Sequence, residues 1–499
     1  MTDVIDRMVS CGISGLDDIL RGGFPEHCLT LITGVPGTGK TTLAMQFLLE
    51  GAARGESCLY VTLSETKTEI QKIARSHGWD LRRITIVELV PSENKLSADA
   101  QLTVFNPSEL ELGETTEAMI AAVDTHKPTR LVLDSLSEIR LIAQSGLRYR
   151  RQILALKQFF SGRQCTVLML DDKTGGAEDD HLQSIAHGVV SLELTSNQFG
   201  AERRRLRICK MRGVSFRGGL HDFRIRRGGL EVYPRLIAAE HPAEFREENL
   251  PSGNAQLDAL LGGGLPAGTS TLLIGPAGTG KSTIATQFAV CAAARGQRSA
   301  LFVFDENIGT FRSRSRKLGL SVDAGMRDNL ITIQQVDPAE LSSGEFGNVV
   351  RRAAEGKDGY DLPAKIIIID SLNGYLNAMP EEKFLTAHMH ELLAFLGQQG
   401  VATIMSVTQS GMVGTMQSPV DTTYLADNVV LLRYFEAGGS VRRALSVVKK
   451  RNGHHERTIR EFDMDSEGIR IGEALSAFHG VLTGVPSYVG DDGKLIGKK

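Results

Sequence analysis

Residues 12–42, GISGLDDILRGGFPEHCLTLITGVPGTGKTT, and residues 253–283, GNAQLDALLGGGLPAGTSTLLIGPAGTGKST, align without a gap at an offset of 241. They share Leu-Asp, Gly-Gly-x-Pro, Thr-Leu and the whole Gly-Thr-Gly-Lys. Later landmarks recur too: LYVTLSE (59–65) with LFVFDEN (301–307), LVLDSL (131–136) with IIIDSL (367–372), and Lys210-Met-Arg212 with Lys449-Lys-Arg451. A period of this length is a whole domain rather than a solenoid repeat, so the chain reads as one domain written twice. The stretch YPRLIAAEHPAEFREEN (233–249) is polar, holds two prolines and matches neither copy, which puts the boundary there. The expected division is residues 1–238, residues 239–485, and a short Gly- and charge-rich tail, 486–499, expected to be disordered.

Within each copy, short β-branched runs alternate with helical patterns. In the first, Leu29–Thr33, Ser57–Leu63, Leu131–Asp134 and Thr166–Leu170 read as strands, with helices over Lys40–Arg54 and Glu65–His77. Apolar strands alternating with helices predict an α/β fold: two tandem P-loop domains, each a mainly parallel sheet flanked by helices. The longest apolar runs, such as Ile366–Ile369, fall far short of the roughly 20 residues of a membrane span. Met1–Ser10 carries Asp3, Asp6 and Arg7 and no apolar leader core. The six cysteines form no CxxC pair, which speaks against a zinc site or a disulfide framework. Together these features predict a cytoplasmic protein without a membrane partner.

Gly34-Val-Pro-Gly-Thr-Gly-Lys40-Thr41 and Gly275-Pro-Ala-Gly-Thr-Gly-Lys281-Ser282 both satisfy GxxxxGK[ST] between a strand and a helix. Glycines let the backbone curl so that successive N–H groups face phosphate oxygens at a helix N-terminus. The expected ATP contacts are Gly37, Thr38, Gly39, Lys40, Thr41 and Thr42, and Gly278, Thr279, Gly280, Lys281, Ser282 and Thr283. The lysines are expected to reach the β- and γ-phosphates, and the Thr41 and Ser282 hydroxyls to ligate Mg²⁺. Asp134 and Asp370 each end an apolar strand, where an acidic residue orients Mg²⁺, although such an aspartate also serves as a turn or N-cap.

After the second strand, one copy has Ser64-Glu65 and the other Asp305-Glu306. Glu65, Asp305 and Glu306 are the candidate catalytic carboxylates, with Asp305 also a candidate metal ligand; the alternative is that they cap the following helix. Lys210, Arg212, Lys449 and Arg451 lie on late strands, too far along the chain to join their own P-loop. Cations that stabilise a transferring phosphoryl group often come from a neighbouring subunit; a solvated basic strand edge is the plainer reading.

With ETKTEIQKIARSHGWD (65–80), Lys210-Met-Arg-Gly213 and YLADNVVLLRYFEAGGSVRRALSVVKKRNGHHERTIREF (424–462), the chain resembles the KaiC family, tandem RecA-like ATPases that include the cyanobacterial circadian-clock kinase. The resemblance implies a homohexamer of two stacked rings with ATP sandwiched between subunits. It further implies ATPase activity in the first ring and serine/threonine autokinase activity in the second. By resemblance, Lys210, Met211, Arg212, Arg443, Lys449, Lys450 and Arg451 contact the neighbour's nucleotide, and Ser76 and Leu318 line the purine. The family's adjacent Ser-Thr phosphosites align with Thr423-Tyr424, leaving Thr423, with Thr422 beside it, as phosphoacceptor. Its paired glutamates are replaced at Ser64 and Asp305, and an aromatic residue at Leu318. HGVLTGVPSY (479–488) resembles the family's C-terminal loop, beyond which Kai-type clock or signalling proteins are the implied partners. Two other functions compete: a ring scaffold assembled by ATP without kinase activity, and a RecA-like DNA-dependent ATPase. For the latter, Arg203-Arg-Arg205 and Arg224–Arg227 offer basic patches, but aromatic residues are sparse and the net charge is −3, so nucleic acid is not the expected partner.

Overall fold

The computed structural model describes residues 7–89, 107–173, 183–196, 200–337, 339–357, 359, 362–377, 385–409, 423–483 and 487–488. The chain divides into two compact units, Met1–Arg235 and Leu236–Lys499, slightly upstream of the division expected from sequence.

The main sheet of the first unit is built from β1 (Leu29–Gly34), β2 (Cys58–Thr62), β3 (Ile84–Glu88), β4 (Arg130–Asp134), β5 (Thr166–Asp172), β6 (Gly188–Thr195), β7 (Arg203–Met211), β8 (His221–Arg226) and β9 (Gly229–Tyr233). Their order is β9-β8-β7-β6-β1-β5-β4-β2-β3. That of the second is built from β10 (Ser270–Gly275), β11 (Arg298–Val303), β12 (Ile331–Gln335), β13 (Ala364–Asp370), β14 (Ala402–Thr408), β15 (Asn428–Ala437), β16 (Ser440–Lys450), β17 (Arg460–Asp465) and β18 (Gly468–Ala474). Read from the other edge, its order is β18-β17-β16-β15-β10-β14-β13-β11-β12, the same topology strand for strand. Six strands in each sheet are parallel, and the last three return antiparallel. The central strands are buried along their whole length, which is why LTLITG and RLVLD read as continuous apolar runs. β7 is different. RRRLRICKM alternates between buried and more exposed positions, as a strand with one covered face should.

Each sheet separates two apolar layers. In the first unit one layer holds Leu43, Phe47 and Leu48 of the P-loop helix Lys40–Ala53, and the other holds Tyr149, Ile153 and Leu156. In the second, Ile284 and Phe288 of the helix Lys281–Ala294 lie on one side and Met389, Leu392 and Phe395 on the other. Phe47 and Phe288 are equivalent and fully buried, and truncating either to alanine should cost about 3–5 kcal/mol. The P-loop helices are therefore pinned to their sheets by large side chains two turns past the lysine.

Two helix starts refine the sequence reading. The helix after β2 runs Lys67–His77, not from Glu65, because Thr66 caps it in a reciprocal box with Glu69. In the second unit Asn307 caps Ile308–Lys317 through the Thr310 amide at 2.8 Å. Neither Glu65 nor Glu306 is the cap.

Candidate nucleotide site

In each unit the first parallel strand delivers the chain to a tight loop and then to a buried helix. Gly34 ends β1 so close to β6 that a Cβ would lie 2.7 Å from the Leu192 carbonyl oxygen; Gly275 repeats this at 2.5 Å from that of Leu432. The loop then turns through left-handed glycines, Gly37 (φ +83°) and Gly39 (φ +99°), and Gly278 (φ +77°) and Gly280 (φ +101°). The hydroxyls of Thr38 and Thr279 each donate across the loop, at 2.8 Å, to Val35 and Pro276. The loop leads directly into the helix N-terminus, whose first amides have no intrahelical partner and suit an anion. Lys40 and Lys281 open the helices, and their ammonium groups fold back onto Gly34 (2.9 Å) and onto Gly275 and Pro276 (2.8 and 2.7 Å).

The two loops differ in what surrounds the lysine. Lys40 also pairs with Asp172 at 2.7 Å, whereas Thr408 occupies the matching place opposite Gly275. Burial pulls Lys281 down to about 8, only partly offset by the charge of Asp370.

Asp134 ends β4, paired with Thr62, and is buried. It accepts from the Thr41 hydroxyl at 3.0 Å and from the Tyr60 hydroxyl, and burial raises its pKa. Asp370 holds the equivalent strand end and accepts from Ser406. The structure thus brings Thr41 and Asp134 into direct hydrogen-bond contact.

Glu65 sits just beyond β2, fixed by its amide on the Thr62 hydroxyl at 2.9 Å. Its Oε2 is buried without a hydrogen-bond partner, and burial, helped by the charges of Asp134 and Glu69, raises its pKa. The second unit arranges the same positions differently. Asp305 accepts from Ser371, and Glu306 is ion-paired with Arg314 at 2.8 Å.

Lys210 and Arg212 follow a different geometry. The end of β7, at Met211, pairs with Gly188 at the start of β6, which pairs with Thr30 at the start of β1. That is the end of the sheet away from Gly34, about 13 Å along the strand at about 3.3 Å per residue. Lys210 donates there to the Gln183 carbonyl at 2.7 Å and Arg212 to that of Ser184 at 3.0 Å. Lys449 (to the Ala426 carbonyl, 2.7 Å) and Arg451 (to Asp427, 3.0 Å) repeat the arrangement. Met211 is buried over Gly188, and Lys450 reaches back to the Leu261 carbonyl, so both point into their own unit.

Arg443 is not brought together with Lys449 and Arg451. It pairs with Asp463 at 3.0 Å and lies opposite Tyr434, whose hydroxyl reaches the P-loop carbonyl of Ala277. Ser76 is exposed, next to a stacked His77–Trp79 pair 4.4 Å apart. Leu318 is the half-buried C-cap of the helix Ile308–Lys317. Thr423 opens the short turn Thr423–Leu425; Thr422 and the tail, apart from residues 487–488, lie outside the described residues. The basic strands are largely self-compensated: Arg204 pairs with Glu202, Arg205 with Asp222, Arg207 with Glu193 and Arg226 with Glu231. No helix of the described residues is long and apolar enough to cross a membrane.

Sequence reasoning missed Asp172, Tyr60, Ser371 and Arg314. Only Asp172 left a sequence signal, an acidic residue closing an apolar strand as Asp134 does.

Two P-loops on duplicated parallel sheets, each facing an aspartate at the end of a central strand, define a tandem RecA-like ATPase. The chain belongs to the KaiC ATPase family: the family model described as "ATPase: KaiC" matches residues 9–237 and again 250–476. It is 27% identical to the circadian clock protein KaiC3 of Synechocystis sp. over 499 residues, covering 98% of this chain and 96% of that protein. It is likewise 27% identical to the circadian clock oscillator protein KaiC of Synechococcus elongatus, covering 97% and 92%. It is therefore a KaiC-like ATPase that binds ATP.

Proposed function

We propose that the chain is a cytoplasmic ATPase and autokinase that works as a ring, with the two units taking different shares of the chemistry. The observation that carries the reading is Glu65, a half-buried carboxylate just beyond the strand end whose Oε2 is buried without a hydrogen-bond partner, with its affinity for a proton raised by burial and by the charge of Asp134. A general base needs those properties.

In the first unit Glu65 takes a proton from water as the water oxygen bonds to the γ-phosphorus of ATP. The bond to the β–γ bridging oxygen breaks and ADP leaves. Lys40 and the loop amides hold the charge that develops on the phosphoryl oxygens. The residues present fit Mg²⁺ in each unit: in the first it would be held by Thr41 with Asp134, which already meet at 3.0 Å, and in the second by Ser282 with Asp370 and Asp305. When bound it neutralises charge on the β- and γ-phosphates.

In the second unit the attacking group is the Thr423 hydroxyl, with Asp305 or Glu306 receiving its proton. Lys210, Arg212, Lys449 and Arg451 lie at the sheet end opposite their own P-loops, which supports ATP bound between subunits of a homohexamer. Relatives named as circadian clock proteins support a role in timing or signalling with Kai-type partners. Phosphopeptide mapping after incubation with ATP tests the kinase share: label is expected between Ser418 and Tyr424 and should be lost in Thr423→Ala with most ATPase activity retained. Label elsewhere, or none, removes the kinase from the account.

A further inference from the structure

The second unit carries a basic residue that the first lacks at the same register. Glu65 and Glu306 are equivalent at the offset of 241, and at that offset Arg314 stands where the first unit has Ile73. Both lie on the helix that leaves the carboxylate, Lys67–His77 in one unit and Ile308–Lys317 in the other. Ile73 offers nothing to a carboxylate, and Glu65 Oε2 is left without a partner. Arg314 reaches back across two turns of helix and donates Nη2 to Glu306 Oε2 at 2.8 Å. Its guanidinium is seated over the ring of Phe311, 5.2 Å from the centroid, and Phe311 is itself buried. The aromatic seat and the ion pair together give Arg314 one preferred position.

We propose that Arg314 is a positioning residue that restrains the second site by holding Glu306 against the helix Ile308–Lys317. To receive a proton from an attacking hydroxyl or water through Oε2, Glu306 must first give up this ion pair. The first site has no such step. The neighbouring carboxylate is engaged too, since Asp305 accepts from Ser371. The restraint makes the second site slower than its P-loop alone would allow, and it is a property of this chain's own helix. It rests on the reading of Glu306 as a proton acceptor.

The test uses the full-length chain with Lys40→Ala silencing the first site, and counts released and protein-bound phosphate from γ-labelled ATP. Arg314→Met should raise kcat of the second site about threefold to fivefold, the rate equivalent of one half-exposed ion pair, with KM unchanged. Arg314→Gln, a second charge-free variant, should rise likewise, and Arg314→Lys should stay near the parent because an ammonium still reaches Glu306. A merely structural role predicts the reverse: lower kcat or raised KM in all three. If Glu306→Gln stops turnover but neither charge-free variant accelerates it, the restraint is wrong and the proton-acceptor reading stands. If Glu306→Gln leaves turnover intact, both are wrong.

Discussion

Lys40 and Asp172 form a 2.7 Å ion pair inside the first P-loop, while the second P-loop has Thr408 at the register of Asp172. The strands align Gly34 with Asp172 and Gly275 with Thr408, so the difference comes from one side chain and not from a shifted backbone. A nucleotide entering the first site meets a lysine already neutralised. In the second it meets one whose positive charge is weakly held.

Asp172→Asn should therefore tighten nucleotide binding at the first site. The carboxylate competes for Lys40 and repels the incoming phosphates, and its loss should raise affinity about tenfold, or ~1.4 kcal/mol. Titration of the Lys281→Ala chain with a non-hydrolysable ATP analogue reads this directly. Weaker binding in the variant would mean that Asp172 helps by positioning Lys40.

Glu65→Gln should lower first-site turnover by about 10²-fold or more while leaving ATP affinity unchanged. A base works in its ionised form, and burial raises Glu65 above its ordinary 4.5. First-site turnover should thus fall with acid at a pH above that value, not at it. A rate profile of the Lys281→Ala chain checks the limb, and a limb at or below 4.5 contradicts a base whose proton affinity is raised.

Binding of ATP to the second site should take up protons in mildly alkaline solution. Lys281 sits at about 8 without ligand and is therefore mostly neutral at pH 9. Phosphate oxygens favour the ammonium form and raise its pKa on binding, so a proton is bound with the nucleotide. Calorimetry at pH 9 in two buffers of different ionisation enthalpy should give an uptake that vanishes in Lys281→Met. Equal enthalpies for the parent chain would count against it.

Gly275→Ala should destabilise the second unit by about 1–3 kcal/mol, because the new Cβ would meet the Leu432 carbonyl at 2.5 Å and backbone cannot move aside cheaply. Thermal unfolding should show the loss. Gly296→Ala is the contrast: space is open there, but φ is +72°, so its cost is backbone strain alone.

Much of the fold is legible because the duplication repeats every constraint. LTLITG and STLLIG could be read as buried strands, and the glycine loop as a phosphate cradle, without any long-range information. The capping box Thr66-x-x-Glu69 was also present, and it places the helix start better than the run from Glu65 does. The rest depends on tertiary register. Asp172 meets Lys40 only because β5 lies beside β1. Arg314 meets Glu306 only through the phase of a helix whose neighbouring arginines, Arg312 and Arg316, turn to Asp323 instead. The late cations share one sequence pattern, yet the antiparallel return puts Lys449 and Arg451 at one end of the sheet and Arg443 towards the other. A linear pattern carries no record of which end a strand's side chain finally occupies.

The division of labour between the two units is tested most directly by one incubation of γ-labelled ATP with the parent chain, Lys40→Ala and Lys281→Ala, reading released phosphate and protein-bound label together. Lys40→Ala should remove most of the released phosphate but keep the label, and Lys281→Ala should remove the label but keep most of the release. Label persisting in Lys281→Ala, or release untouched by Lys40→Ala, would contradict that division.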